Sequence, residues 1–228
     1  RPWHIVAELD GPATLQVPGL NALDIEWSSL RASVRVPLLP ERVSLEGQNV
    51  VVGLDEQGPV TAALARAGNA QFHVRWAGDD LDLAVRFAAL SLDPALTDGA
   101  ALPPLSGLAD VTVTDGAWFP NSDLGPLRGK SGTIRAFTLS TDEETGVTLS
   151  GPVAIDEEGL VDAELQVTLR NPAALAKVLG DLMPENRQEI ELALSGLAAG
   201  GETATLPLRI ARSEVSLGFL SLVTLPPL

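Results

Sequence analysis

The stretch Gln71-Phe72-His73-Val74-Arg75-Trp76-Ala77-Gly78-Asp79-Asp80-Leu81-Asp82-Leu83-Ala84-Val85-Arg86-Phe87 decides how the rest of the chain is read. Phe72, Val74 and Trp76 alternate with Gln71, His73 and Arg75. After the polar break Gly78-Asp79-Asp80, Leu81, Leu83, Val85 and Phe87 interleave with Asp82, Ala84 and Arg86. A period of two places successive side chains on opposite faces of a strand. The two runs therefore read as a hairpin whose strands share one apolar face.

The same alternation recurs outward from this hairpin. Upstream, Leu30, Ala32, Val34 and Val36 alternate with Arg31, Ser33 and Arg35. Downstream, Val161, Ala163, Leu165, Val167 and Leu169 oppose Asp162, Glu164, Gln166, Thr168 and Arg170. Leu206, Leu208 and Ile210 form a further set, and Val215, Leu217 and Phe219 another. Weaker patterns lie at 22–27, 43–54, 110–118, 133–139 and 147–155, which brings the total to roughly ten strands. Gly-Pro, Asp-Gly and Gly-Gly pairs separate them, and Asp142-Glu143-Glu144-Thr145-Gly146 and Glu157-Glu158-Gly159 read as polar hairpin tips.

Helical periodicity is clear once. Asn171 is a suitable N-cap, Pro172 sits at the first helical position, and Leu175, Val178, Leu179 and Leu182 follow on one face. Pro184 opens a second helix with Ile190, Leu194 and Leu197 as its stripe and Gly200 as its stop, although Ile190, Leu192 and Leu194 also fit a strand. The helical segment is thus 172–199, and an extra helical turn is expected at 62–67.

These elements imply a single β-rich domain over 1–228, with two sub-sheets divided near 100–106 as one possibility. The expected fold is mainly β: a large curved antiparallel sheet, a meander of one-faced amphipathic strands. One or two helices near the C-terminus pack on it. One-faced strands need a covering for their apolar side, and two short helices do not supply enough. A closed barrel or β-sandwich is the competing solution. On the curved-sheet reading, Phe72, Trp76, Leu83 and Phe87 line an apolar groove; on the other they pack a core.

Composition narrows the chemistry. The 228 residues are 45% hydrophobic and carry Lys+Arg 15 against Asp+Glu 30, a net charge of −15. Such a balance argues against nucleic acid as a partner and against electrostatic docking on an anionic membrane surface. The absence of Cys excludes a disulfide scaffold, a zinc ribbon and a thiol nucleophile. His4 and His73 stand alone without metal-ligand spacing. Asp79, Asp80 and Asp82, Asp142 to Glu144, and Asp156 to Glu158 read as solvated tips, since no calcium-loop pattern accompanies them. No phosphate-binding, dinucleotide-binding or nucleophile-elbow motif occurs. No enzyme, cofactor or metal is expected.

Arg1-Pro2-Trp3-His4-Ile5-Val6-Ala7, Leu30-Arg31-Ala32-Ser33-Val34, Leu206-Pro207-Leu208-Arg209-Ile210, Val215-Ser216-Leu217-Gly218 and Leu225-Pro226-Pro227-Leu228 together carry a resemblance. They resemble a family of bacterial envelope proteins classed as a domain of unknown function. The resemblance spans nearly the whole chain and about the later two-thirds of a usual member. It implies a periplasmic β-rich body and an N-terminal inner-membrane anchor in a segment preceding Arg1. Relatives place Asp-Gly before the last strand, where this chain has Arg212-Ser213-Glu214. The strand meander is also similar to groove-forming envelope proteins of lipid transport and assembly. The implied function is a non-catalytic envelope module presenting an apolar groove to a lipid-like ligand or binding another envelope protein. The alternative is a structural or protein-interaction scaffold with a closed core.

Overall fold

The computed structural model describes residues 3–16, 22–36, 41–54, 63–97, 99–116, 127–217 and 220–227. Among them the chain forms one 14-stranded sheet, with ladders running in the order β1-β4-β5-β6-β7-β8-β9-β10-β11-β12-β13-β14. The first strands are β1 (Trp3–Leu9), β2 (Ala13–Leu15), β3 (Leu23–Glu26), β4 (Ser29–Val36) and β5 (Arg42–Leu54). The central meander follows as β6 (Ala63–Ala77), β7 (Asp80–Leu92), β8 (Leu105–Val113), β9 (Lys130–Ser140), β10 (Gly146–Ile155) and β11 (Val161–Arg170). Two helices, α1 (Pro172–Leu182) and α2 (Arg187–Ala198), precede β12 (Thr203–Ala211), β13 (Glu214–Leu217) and β14 (Leu220–Thr224). Every ladder is antiparallel.

The β6–β7 hairpin closes with Ala77 opposite Asp80 across a two-residue turn. Trp76 pairs Leu81, Val74 pairs Leu83, Phe72 pairs Val85, and Ala70 pairs Phe87. Pairing partners share a face, so the register carries this apolar face across the sheet. One row runs Ala7, Ala32, Leu45, Phe72, Val85, Ala109 and Phe137, then Leu149, Val167 and Leu206. The opposite face carries the charged and hydroxyl side chains.

Bulges interrupt several ladders, among them those on either side of β8. Asp110 and Val111 pair with Ala136 and Ile134, which leaves Arg135 as the extra residue on β9. The bulge lets Ile134 and Phe137 share the apolar face although three positions separate them. On β7, Phe87 pairs Gly107 and Leu90 pairs Leu105, so Ala88 and Ala89 oppose one residue, and Ala89 takes φ 52.

The expected curved, groove-forming sheet is corrected by this topology. The sheet is open and not strongly curled: β1 and β14 are its two ends, and no ladder joins them. A barrel needs its edges to meet at a fixed stagger, and a sandwich needs a second sheet; neither arrangement forms among the described residues. The apolar face stays partly uncovered instead. Buried apolar side chains concentrate on Leu81, Val74 and the inward row Val161, Ala163, Leu165 and Val167 of β11. In contrast Trp3 is 74% exposed, Phe137 42% and Phe72 37%, all on the same face.

α1 and α2 pack chiefly on each other, and α2 touches β12. Gly180 permits this pairing, since a side chain there would press on Arg187. Asn171 caps α1 by accepting from the Ala174 amide at 3.2 Å. α2 is a helix and not a strand, with Leu192 left 77% exposed. The helical turn expected at 62–67 is replaced by the start of β6, where Ala63, Ala65 and Ala67 pair Gly53, Val52 and Val50. Ladder pairing here overrides the helix propensity of an alanine-rich stretch. Residue 62, Trp118 and Phe219 lie outside the described residues. β7 ends before the Pro-rich stretch 102–105, β8 begins at Leu105, and the two strands pair with each other.

Candidate functional site

The four groove residues read from the sequence fall on the same face, with Phe72 and Trp76 on β6 and Leu83 and Phe87 on β7. Phe72 lines a cleft of about 440 Å³ with Leu9, Leu15, Ile25, Trp27, Leu30, Leu45, Val50 and Val85. Trp76, Leu83 and Phe87 stand outside that cleft. Phe87 instead lays its ring over Gly107, its cross-strand partner, in space that any side chain at 107 would occupy.

The cleft is built at one end of the sheet by an arrangement the alternation did not reveal. β3 and β4 lie one after the other along β5: β3 pairs residues 51–54 and β4 pairs residues 42–48. Trp27 sits between them, and its Nε1 donates to the Leu9 carbonyl at 2.9 Å, tying β1 to the junction. Gly11 accommodates the Trp27 ring, because a Cβ there would come within 2.9 Å of it. Among the described residues Thr14 and Gln71 are the polar members of the lining, and no charged one joins it. Leu45 and Val50 were signalled in the sequence only by the weak alternation at 43–54, which Gly47 and Asn49 interrupt, and Trp27 by that at 22–27.

The opposite face carries a bonded charge cluster. Asp82 accepts from Arg75 Nε at 2.9 Å and Nη2 at 2.5 Å, from Thr112 Oγ1 at 2.7 Å and from Arg135 Nη1 at 2.5 Å. Arg135 also grips Asp110. Burial pushes the Asp82 carboxyl up, but the hydrogen bonds from Arg135, Thr112 and Arg75 outweigh it and hold the group down at about 2. Hydrogen bonds to Asp110 and Asp82 push the Arg135 guanidinium up in turn, against the opposing effect of its burial. The bulge on β9 is what directs Arg135 onto this face.

His73 Nδ1 lies 2.8 Å from Ser44 Oγ. A serine–histidine contact invites a nucleophilic reading, which needs a third group to orient the imidazole. Among the described residues no carboxylate bonds His73, and Asp82 and Asp110 are held by arginines. His4 is on β1 and His73 on β6, separated by β4 and β5. The acidic clusters serve their turns. Asp142 Oδ1 accepts from the Glu144 and Thr145 amides at 2.8 and 2.6 Å, and these backbone donors lower its pKa. Asp156 Oδ1 accepts from the Leu160 amide at 2.8 Å, and Asp80 Oδ1 from the Asp115 amide at 3.0 Å. Among the described residues no group of three His, Cys, Asp or Glu side chains is placed to hold a metal ion. No helix among them is long and apolar enough to cross a membrane.

No curated protein matches the chain. Residues 1–226 match the family described as "Uncharacterized protein conserved in bacteria (DUF2125)". With the match covering nearly the whole length, the chain belongs to this bacterial family of uncharacterised proteins.

Proposed function

We propose that this protein is a non-catalytic module of the bacterial cell envelope whose apolar sheet face contacts a lipid-like molecule. On this reading the body lies on the periplasmic side and is held to the inner membrane by a segment preceding Arg1. The observation that carries the proposal is the apolar cleft of about 440 Å³ between Leu9, Trp27, Leu45 and Phe72. It continues into a face where Trp3, Ile5, Val85 and Phe137 are exposed. Contiguous exposed apolar surface of this kind marks a ligand or partner site more often than an ordinary exterior. A cleft lined without charge suits an acyl chain, which offers no polar group to recognise. The non-catalytic part of the reading is supported by the polar face, where Asp82 and Asp110, which share a concavity with His73, already serve arginines.

A protein partner is the second reading. It is favoured by β1, an edge strand on which every residue from Trp3 to Leu9 is exposed. An exposed edge strand is a template for strand addition.

Native mass spectrometry of the protein extracted from membranes separates the two. Co-purifying lipid that is lost in Leu45→Asp or Phe72→Asp supports the first reading. Lipid-free protein that instead crosslinks through β1 to another envelope protein overturns it in favour of the second.

A further inference from the structure

The face opposite the apolar cleft contains a line of like charges that the rest of the sheet avoids. His4, Arg35, Arg42 and Arg75 stand directly opposite one another on β1, β4, β5 and β6. Neighbouring strands are about 4.8 Å apart, so the three arginines leave the backbone within a span of roughly 10 Å. Like charges directly opposite in a sheet are destabilising. The charged row four residues along the same strands shows the ordinary solution: Glu8, Arg31 and Glu46 alternate in sign, followed by Gln71 and Arg86. A chain with twice as many acids as bases has ample means to alternate the first row too.

Neutralisation of the arginine row is incomplete. Arg35 reaches Glu41 only at 3.9 Å, with both side chains about half exposed. Arg75 is bonded to Asp82, whose other oxygen is occupied by Arg135. Among the described residues, no carboxylate pairs with Arg42 at the centre of the row. Two concavities meet at Arg42. One, of about 420 Å³, is lined by His4, Ser33, Arg35, Arg42 and Ser44. The other, of about 340 Å³, includes Arg42, His73 and Arg75, with Asp82 and Asp110 on its far side held by Arg75 and Arg135.

We propose that the Arg35–Arg42–Arg75 row is a binding site for a phosphate group, either free or carried on a larger molecule. A guanidinium fork matches the oxygens of phosphate or carboxylate. One fork satisfies a carboxylate, whereas a row of forks fits a group with three or more outward oxygens. The hydroxyls of Ser33 and Ser44, on the row beside the arginines, supply neutral hydrogen-bonding partners of the kind phosphate oxygens accept. The site lies on the opposite face from the cleft, so it stands or falls independently of the lipid reading.

The test is thermal unfolding and calorimetry with inorganic phosphate against chloride at matched ionic strength. Vesicles of phosphatidylcholine with and without phosphatidylglycerol test the lipid-borne source. Phosphate is expected to raise the melting temperature of the wild type, as any ligand of the folded state does. Arg42→Gln is expected to weaken phosphate binding by roughly tenfold or more, the worth of a charge-assisted hydrogen bond. In chloride the same variant melts above the wild type, because it removes repulsion. Arg42→Lys keeps the charge without the fork and recovers part of the binding. Arg31→Gln, in the alternating row, keeps the phosphate response and melts lower. Binding of inorganic phosphate assigns the site to a soluble phosphate compound, and binding confined to phosphatidylglycerol vesicles assigns it to a lipid headgroup. The proposal is overturned if neither probe binds, or if Arg42→Gln binds as well as the wild type.

Discussion

Arg135 on β9 reaches across β8 to Asp82 on β7, bringing Nη1 to 2.5 Å from Oδ1 between residues 53 positions apart in the chain. With Arg75 on the other oxygen and Thr112 between them, Asp82 ties four strands together from one buried carboxylate. Replacing it with Asp82→Asn leaves two arginines facing a neutral amide. Both arginines are 40–50% exposed, so water compensates in part. The expected loss is about 1–2 kcal/mol of folding stability, read as a lower urea midpoint at unchanged slope.

The same carboxylate makes stability depend on pH on the acid side. Its folded pKa of about 2 lies below the ordinary 3.8. A depressed folded value means the stabilisation is complete above the unfolded pKa and is lost as pH falls through the folded one. The wild type should therefore lose stability between pH 3.8 and about 2. Asp142, whose pKa is also lowered, adds a loss of the same sign. Urea titrations of the wild type and Asp82→Asn should converge as pH falls through this window. Curves that stay parallel would remove Asp82 from the account.

Phe87 and Gly107 form an interlocking pair, with the ring occupying the place of a side chain at 107. Gly107→Ala should cost about 1–3 kcal/mol by forcing the ring off its seat. A smaller side chain at 87 ought to remove the conflict. The double variant Phe87→Leu with Gly107→Ala is therefore expected to lose less than the sum of the two single changes, a coupling that a double-mutant cycle reads directly.

Ser213 is fully buried and locks the turn between β12 and β13 to β11. Its amide donates to the Val161 carbonyl at 2.8 Å, and its Oγ accepts from the Val161 amide at 3.0 Å. Ser213→Ala leaves that buried amide without an acceptor and should cost about 1–3 kcal/mol. Arg212 and Ser213 both take positive φ, 47 and 67, the geometry of a tight primed hairpin turn. Arg212→Asn tolerates that backbone better and should stabilise by about 1 kcal/mol. Thermal melts of the two variants should move in opposite directions.

The turn illustrates how far a reading of residue types extends. An Asp-Gly pair there would advertise the left-handed backbone, whereas Arg212-Ser213 does not. The structure adopts it nonetheless, because Asp162 Oδ1 accepts from the Arg212 amide at 3.0 Å and Val161 holds Ser213. The strand 133–139 reads weakly for a comparable reason: the bulge at Arg135 shifts the alternation, and that shift is what sends Arg135 to Asp82. The hairpin 71–87 reads strongly because nothing interrupts it. Asn171 and Pro172 likewise marked α1 through chemistry contained within one turn.

The sequence by itself determined the central strands, which side of each of them is apolar, and where the two helices lie. Those properties are local: a side chain's face follows from its parity, and a cap acts within one helical turn. Only the tertiary structure decided that the sheet stays open, that Trp27 closes a cleft with Leu45 and Phe72, and that Arg35, Arg42 and Arg75 fall in line. Each depends on register between strands distant in the chain, and a shift of one residue would reverse every face. Bulges and strand order set that register, and neither is written in the periodicity of any single strand.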